Sequence, residues 1–188
     1  LPLTINEIFW SVGQTVFLFA FSLRGEQALA AMNVNNAVSQ IVFVIFSGIA
    51  TSVAVMVGNT LGEHKLEEAE SNAYKLIMTS VLAALVVGII LFLISPWIVG
   101  LYDINETTRA WALESIRYNS ILVWLYSVNV AIYFTLRSGG DTFNTMLADS
   151  GFMWVINVPA ALILGYFSTI SIPLMFLIVK GMELPKFL

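Results

Sequence analysis

The chain has 188 residues, of which 59% are hydrophobic and 11% are charged, and its formal net charge is −4. Because soluble chains carry about 25% charged residues, this composition excludes an ordinary soluble domain and favours a protein surrounded by lipid. The 8 Lys and Arg residues form no cluster that could neutralise phosphates, which argues against nucleic acid as a partner, and the absence of Cys excludes disulfides and thiolate chemistry.

Long uncharged stretches recur along the chain. The stretch from Leu76 to Tyr102 has 27 residues, and a helix of that length rises about 40 Å, more than the roughly 30 Å of a bilayer's hydrocarbon core. The sequence therefore predicts an all-α, polytopic transmembrane helical bundle in a single lobe over residues 1–188. We expect about six spans, at about residues 3–23, 34–62, 74–102, 111–138, 144–167 and 172–188.

The first span holds the best candidate for chemistry. Glu7 follows Asn6 in the first two turns, and Trp10 and Gln14 lie three and seven residues after Glu7, on one helix face. An acid inside a span is costly to ionise and is a functional candidate by default. Facing a water-filled cavity, Glu7 would exchange a proton or give an oxygen ligand to a sodium ion. The equally weighted alternative is an exposed acid at the membrane boundary, favoured by the helix dipole.

The second span begins with amide side chains and ends with small ones. The small residues repeat every four positions and predict a packing seam at which another backbone approaches closely. The amides need hydrogen-bond partners, either in contacts between helices, which we favour, or in the wall of a cavity. The small residues are Ala50, Ala54, Gly58 and Gly62, and the amides are Asn33, Asn35, Asn36 and Gln40.

A glycine turn, Gly139-Gly140-Asp141, separates the fourth span from the fifth. Arg137 precedes this turn, and Asp149 lies eight residues after Asp141, near the expected membrane boundary. We expect Asp149 either to pair with Arg137 or to handle protons.

Pro159 lies inside the fifth span. Proline removes a backbone hydrogen bond and should kink the helix. Asn157 precedes this kink and would face any carbonyl that it exposes, so Asn157 and Asn129 of the fourth span are candidates for lining a cavity.

Pro173 begins a sixth span, which reaches Leu188 without a C-terminal cap and which we expect to be truncated. Lys180 and Glu183 lie three residues apart in it and are expected to pair. His64 is the single histidine, and the chain contains neither a G-x-S-x-G motif nor a phosphate-binding loop. We therefore expect no enzyme, no metal site and no bound cofactor.

Several short motifs occur in order along the whole chain. They are Asn6-Glu7 with Trp10-Ser11, Val57-Gly58-Asn59-Thr60-Leu61-Gly62, Leu136-Arg137-Ser138-Gly139-Gly140-Asp141-Thr142, and Val158-Pro159. In this order they resemble the multidrug and toxic compound extrusion (MATE) family of secondary transporters. In that family two six-helix lobes face each other across a central cleft, and this chain is similar to the C-terminal lobe.

The resemblance implies a multi-pass protein of the cell membrane, which in a bacterium is the cytoplasmic membrane. It implies export of amphipathic, often cationic compounds in exchange for sodium ions or protons, with a transient coupling ion and an N-terminal lobe of the same polypeptide as partner. Some members carry an acid in the middle of the fourth helix, where this chain has Tyr126 and Ser127, or one turn after Glu7, where it has Trp10. Glu7 matches the branch with Asn-Glu near the helix start.

Two other functions stay open. One is a lipid-linked saccharide flippase of the same superfamily, whose cleft would need several Arg or Lys residues to hold pyrophosphate. The other is a membrane scaffold that transports nothing and uses all its polar residues as packing contacts.

Overall fold

The computed structural model describes residues 2–140 and 142–184, and all regular structure in these residues is helical. The helices are α1 (Pro2–Ser22), α2 (Glu26–Gly62), α3 (Leu66–Gly100), α4 (Glu106–Ser138), α5 (from Thr142–Met146 to Val158–Phe167) and α6 (Ile172–Gly181). The predicted all-α class is confirmed. Asp141 and the last residues of the sixth predicted span, up to Leu188, lie outside the described residues.

Four of the described helices are long and apolar enough to cross a membrane, namely α2, α3, α4 and Phe143–Phe167 of α5. The outer face of α3 shows what surrounds them, because Leu82, Ile89, Leu93 and Trp97 are each more than 60% exposed there. An apolar face of this length suits hydrocarbon rather than water. The helix α6 is apolar but has 10 residues, and α1 has 21 residues, enough for about 30 Å.

Three helices begin well before the predicted spans, because polar residues of the connectors continue them. The helix α2 begins at Glu26, α3 at Leu66 and α4 at Glu106. Asn105 caps α4 by accepting a hydrogen bond from the backbone N–H of Thr108 at 2.8 Å. These extra turns lie at the ends of the helices, where acidic residues interact favourably with the helix dipole.

Two hydrophobic cores divide the lobe. The first lies among α1, α5 and α6, joined by the start of α2, and includes Phe21, Met32 and Met175. The second lies among α2, α3 and α4 and includes Phe46, Leu91 and Ile116. We call α2, α3 and α4 the regular half and α1, α5 and α6 the irregular half.

One glycine in each half allows two backbones to approach closely. A Cβ atom on Gly88 of α3 would lie 2.5 Å from the carbonyl oxygen of Ser120 in α4. A Cβ atom on Gly165 of α5 would lie 2.5 Å from the carbonyl oxygen of Ala20 in α1. Both distances are far below van der Waals contact, so any side chain at either position would push the helices apart.

The structure corrects the predicted seam along the end of α2. A Cβ atom on Gly58 would meet the Ser138 Cβ at an ordinary 3.9 Å, and one on Gly62 would meet no atom of the described residues within 4 Å. Ala50 is buried and packs as predicted, but Gly62 is exposed because α2 ends there and no described helix packs against that face. The close approaches are at the glycines of α3 and α5 instead.

The helix α5 is distorted before its proline. Two π turns, Leu147–Gly151 and Met153–Asn157, interrupt it before the α-helical segment that contains Pro159. Pro159 has no N–H for the carbonyl of Val155, which lies in the second π turn. The distortion predicted at Pro159 therefore takes the form of π turns. The predicted glycine turn is confirmed, since α4 ends at Ser138 and Gly140 has φ of 85°.

Candidate functional site

Two neighbouring cavities, of about 280 and 370 Å³, lie among α1, α2, α4, α5 and α6. Helix α3 contributes no described residue to either cavity. The cavities share part of their walls, which combine aromatic rings with polar and charged side chains. The shared residues are Trp10, Gln14, Phe43, Tyr126, Lys180 and Glu183.

Glu183 is the most highly connected charged residue between the two cavities. Its Oε1 accepts hydrogen bonds from Lys180 Nζ and Asn157 Nδ2, both at 3.1 Å, and its Oε2 accepts one from Asn129 Nδ2 at 3.3 Å. The Glu183 side chain is 16% exposed and that of Lys180 29% exposed. The predicted pairing of Lys180 with Glu183 is confirmed. Its position, held by one amide from α4 and one from α5, makes it part of the site.

Asn129 and Asn157, the two amides predicted to line a cavity, therefore lie close together. Their common partner is the carboxylate of Glu183 and not a backbone carbonyl. Asn157 donates to the carboxylate of Glu183 and does not face a carbonyl freed by Pro159. Both amides line the first cavity, the smaller one. The carboxylate is a stronger partner than a carbonyl, because a charge strengthens the hydrogen bond.

Asn6 connects three helices at the start of α1. It is 2% exposed, and its Nδ2 donates to the hydroxyl of Tyr133 at 3.3 Å and to Asp149 Oδ2 at 3.5 Å. The hydroxyl of Ser150 lies 3.1 Å from the backbone carbonyl of Asn6 and also contacts its side-chain oxygen. Asn6 lines neither cavity, so its predicted place in a cavity wall is replaced by a contact among α1, α4 and α5.

Glu7 lines the first cavity near its edge. Its side chain is 62% exposed, and its Oε1 lies 4.0 Å from Arg137 Nη1, at the limit of an ion pair. The Arg137 guanidinium in turn lies 5.8 Å from the ring centre of Phe134. Asp149, which accepts from Asn6, lines the same cavity. Glu7 thus combines the exposure of a boundary acid with a place in a cavity wall.

The amides of α2 divide between the two predicted roles. Asn119 Nδ2 donates to Asn35 Oδ1 at 3.3 Å and to Ser39 Oγ at 2.8 Å, which ties α4 to α2. Asn36 and Gln40 line the second cavity, the larger one. Asn33 is exposed and lines neither cavity.

The aromatic wall is the feature that sequence reasoning missed. Phe43 and Tyr126 belong to apolar stretches of α2 and α4, where aromatic residues more often fill a core. Gln14, selected as a polar candidate, lies in the same shared wall and its Nε2 is 3.9 Å from Met153 Sδ. The sequence did place Trp10 and Gln14 on one face of α1, and this face is part of the wall. It gave no indication that Phe43 and Tyr126 of other helices lie beside them.

Comparisons with known proteins agree with this architecture. The chain is 24% identical over 174 residues to multidrug resistance protein NorM of Aliivibrio fischeri, covering 93% of this chain and 38% of that protein. It is 25% identical over 142 residues to the probable multidrug resistance protein NorM of Photorhabdus laumondii, covering 75% of this chain and 31% of that protein. The chain thus spans about two fifths or less of the length of these relatives.

The fold also matches a solved transporter. An outward-facing multidrug resistance MATE family transporter of the MOP superfamily superposes with a TM-score of 0.86 over 97% of this chain and 42% of the other, at 16% identity. This likeness supports the fold of one lobe, in a multi-pass membrane protein. The relatives are named as multidrug resistance proteins and transporters, which confirms at the level of the family that the chain is not an enzyme. The MatE family model matches residues 2–163, most of the sequence, and the chain therefore belongs to the MATE family.

Proposed function

We propose that this chain is one lobe of a secondary transporter that exports amphipathic or cationic compounds by antiport against sodium ions or protons. The observation that supports this most directly is the pair of cavities whose shared wall combines Trp10, Phe43 and Tyr126 with the acid of Glu183, which pairs with Lys180 in the same wall. Aromatic faces attract organic cations and also pack against apolar rings, while an acid selects positive charge. Such a wall suits compounds that are both apolar and cationic.

A second lobe completes the proposed mechanism. The two cavities, of about 280 and 370 Å³, are at the lower end of the range for small-molecule sites. Alternating access requires two repeats that rock against each other around a central site. We place the other repeat in the same polypeptide, before this lobe, and the whole protein in the cell membrane, with the lipid bilayer as its surroundings.

Glu7 is the proposed coupling residue of this lobe. It lies at the edge of the first cavity, where its exposed carboxylate is accessible to sodium ions or protons. Arg137, 4.0 Å away, offers a competing positive charge when the ion leaves. The coupling ion is transient, and no bound cofactor is required.

The experiment that tests this proposal measures dye efflux from vesicles containing the full-length protein. A sodium or proton gradient should drive efflux of a fluorescent cationic dye from the parent protein, and Glu7→Gln should reduce the initial rate at least tenfold, equivalent to about 1.4 kcal/mol or more. Membrane insertion, measured by the amount of protein recovered in the vesicles, should stay normal. Glu106→Gln is the control, because Glu106 is exposed at the start of α4 and lines neither cavity.

Undiminished efflux by Glu7→Gln would remove this residue from the coupling mechanism. A parent protein without gradient-driven efflux would contradict the transporter proposal itself and favour the scaffold. The flippase is not favoured, because Arg137 and Lys180, the basic residues among the described cavity linings, lie against Glu7 and Glu183. Neither leaves a free pair of positive charges for pyrophosphate.

A further inference from the structure

We propose that Lys180 is an internal counter-cation, which a cationic compound replaces on the carboxylate of Glu183 when it binds in the first cavity. This inference rests on the proposed function, because it assigns the residue that selects positive charge in the transported compound. It concerns a site distinct from Glu7, at the other end of the chain. Three observations and one electrostatic argument support it.

Glu183 can be reached from both cavities. It is held on both oxygens, with Asn129 on Oε2 and with Lys180 and Asn157 on Oε1. The two amides keep the carboxylate in place whether or not Lys180 is present. A carboxylate fixed by neutral donors and lying in a cavity wall is a preorganised partner for a second cation.

Lys180 has a second favourable contact that does not depend on Glu183. Its Nζ lies 5.5 Å from the ring centre of Phe17, within the range of a cation–π interaction. Phe17 lines the second cavity and not the first. Lys180 can therefore move toward Phe17 and leave the side of Glu183 that faces the first cavity.

Asn157 presents an acceptor that has no partner among the described residues. The side chain is 5% exposed, its Nδ2 donates to Glu183, and its Oδ1 is buried without a hydrogen bond. A buried acceptor without a donor is destabilising, because it has lost its hydrogen bonds to water. Because Asn157 lines the first cavity, the positive charge of a cation bound beside Glu183 would interact favourably with the negative end of this amide dipole.

Electrostatics favour an exchange over simple addition. A largely buried carboxylate that loses its cation is strongly destabilised, and Lys180 is the cation that the described residues place on Glu183. Glu183 therefore needs a positive partner in place of Lys180 when Lys180 withdraws. A cation arriving in the first cavity supplies it as Lys180 withdraws, and Trp10, Phe43 and Tyr126 contact the apolar part of the compound. A neutral compound of the same shape has no charge with which to replace Lys180.

The test is equilibrium binding of two probes to the purified full-length protein. Tritiated tetraphenylphosphonium is a lipophilic monocation, and triphenylphosphine oxide is a neutral aromatic compound of similar shape. Glu183→Gln should weaken binding of the cation at least tenfold, because a charge-assisted contact is lost, and should change binding of the neutral compound less than twofold. Lys180→Met should strengthen binding of the cation about tenfold, because no internal cation competes.

The double variant shows whether Lys180 acts through Glu183. In the Glu183→Gln background, Lys180→Met should change affinity for tetraphenylphosphonium less than twofold, since there is no carboxylate left to compete for. Lys180→Arg keeps the positive charge and should bind within threefold of the parent. Glu106→Gln is the matched control, because Glu106 and Arg109 are also three residues apart and 3.1 Å from each other, while the Glu106 side chain is 89% exposed and neither residue lines a cavity.

Each variant is first checked for a single symmetric peak in size-exclusion chromatography, so that misfolding is not read as lost binding. Equal loss of cation and neutral binding in Glu183→Gln, or unchanged cation binding in Lys180→Met, would overturn the inference. A parent protein that shows the expected binding pattern without gradient-driven dye efflux would overturn the proposed function and leave this site in place. Gradient-driven efflux in the parent, together with unchanged cation binding in Glu183→Gln and Lys180→Met, would support the proposed function and overturn this inference.

Discussion

The two halves of the lobe use different means to hold their helices. The regular half consists of three helices of 33 to 37 residues, joined by a large apolar core. The irregular half has shorter helices and two π turns, and it adds the Asn6 network and the Lys180–Glu183 pair to its core. Within the described residues, the charged side chains that line the cavities come from the irregular half, apart from Arg137 of α4.

This difference indicates a division of labour between the halves. Long regular helices pair nearly all their internal backbone groups and need only apolar side chains toward lipid. Pro96 interrupts this pattern in α3, where the carbonyl of Phe92 instead accepts a hydrogen bond from the hydroxyl of Ser95 at 2.8 Å. A helix with π turns and a proline leaves backbone and side-chain groups that need other partners, and such distortions are common at functional sites. The regular half thus provides a stable wall, and the irregular half presents the chemistry against it.

The largest effect should come from the two glycines at the close helix approaches. Gly88→Val and Gly165→Val should each lower the free energy of unfolding by about 3 kcal/mol or more, because both place a side chain against a backbone carbonyl. Titration of the full-length protein with SDS in mixed micelles, followed by circular dichroism, measures this loss. Gly48→Val is the control, since a Cβ atom there meets no atom of the described part of the chain within 4 Å.

The same variants sharpen the comparison between halves. In the fraction that remains folded, Gly88→Val should bind tetraphenylphosphonium as the parent does, because α3 lines neither cavity. Gly165→Val should bind it several times more weakly, because α5 carries Asn157. Equal loss of binding in both variants would contradict the division of labour.

A smaller effect is expected at the start of α1. Asn6→Ala should cost about 2 kcal/mol, because it removes the partner of Tyr133, Asp149 and Ser150 at a buried position. The same SDS titration measures the loss, and Thr4→Ala, at an exposed position of the same helix, is the control. A change below 0.5 kcal/mol, a threshold near the usual effect of surface substitutions, would show that this network contributes little.

The smallest effect is expected for the amide contact within the regular half. Asn119→Ala should cost about 1 kcal/mol, because polar contacts between membrane helices are modest and the large apolar core remains. Measured beside Asn6→Ala in the same titration, it tests whether polar contacts matter more in the irregular half. A larger loss for Asn119→Ala than for Asn6→Ala would reverse that conclusion.

The sequence predicted the positions of the helices well and the contacts between helices poorly. An uncharged run such as Leu76 to Tyr102 is a local property, and it lies almost wholly within α3. The pairing of Lys180 with Glu183 was also local, since residues three apart meet on a helix face. Close approaches are not local. Ser80, Ala84 and Gly88 repeat every four residues on the buried face of α3, a pattern that the sequence analysis did not use, but their partner Ser120 lies in another helix and is known only from the structure.

The candidate site shows the same limit. Asn129 and Glu183 are 54 positions apart and Asn157 and Glu183 are 26 apart, and their meeting depends on how three helices pack. Asn6 and Glu7 are neighbours in sequence with opposite surroundings, one 2% exposed and the other on the cavity edge. A polar residue in a span can be recognised from sequence, but its partner depends on helix rotation.

The π turns of α5 have a consequence for the history of this lobe. A π turn holds one residue more than an α turn, so a π turn corresponds to a single inserted residue. A homologue lacking one residue between Leu147 and Asn157 would keep the α-helical end of α5 unchanged while shifting the earlier positions by about 100° around the axis. A single-residue gap in this segment of a pairwise alignment would therefore indicate that different side chains of α5 face the cavity in the two proteins. The packing of the other helices would stay the same.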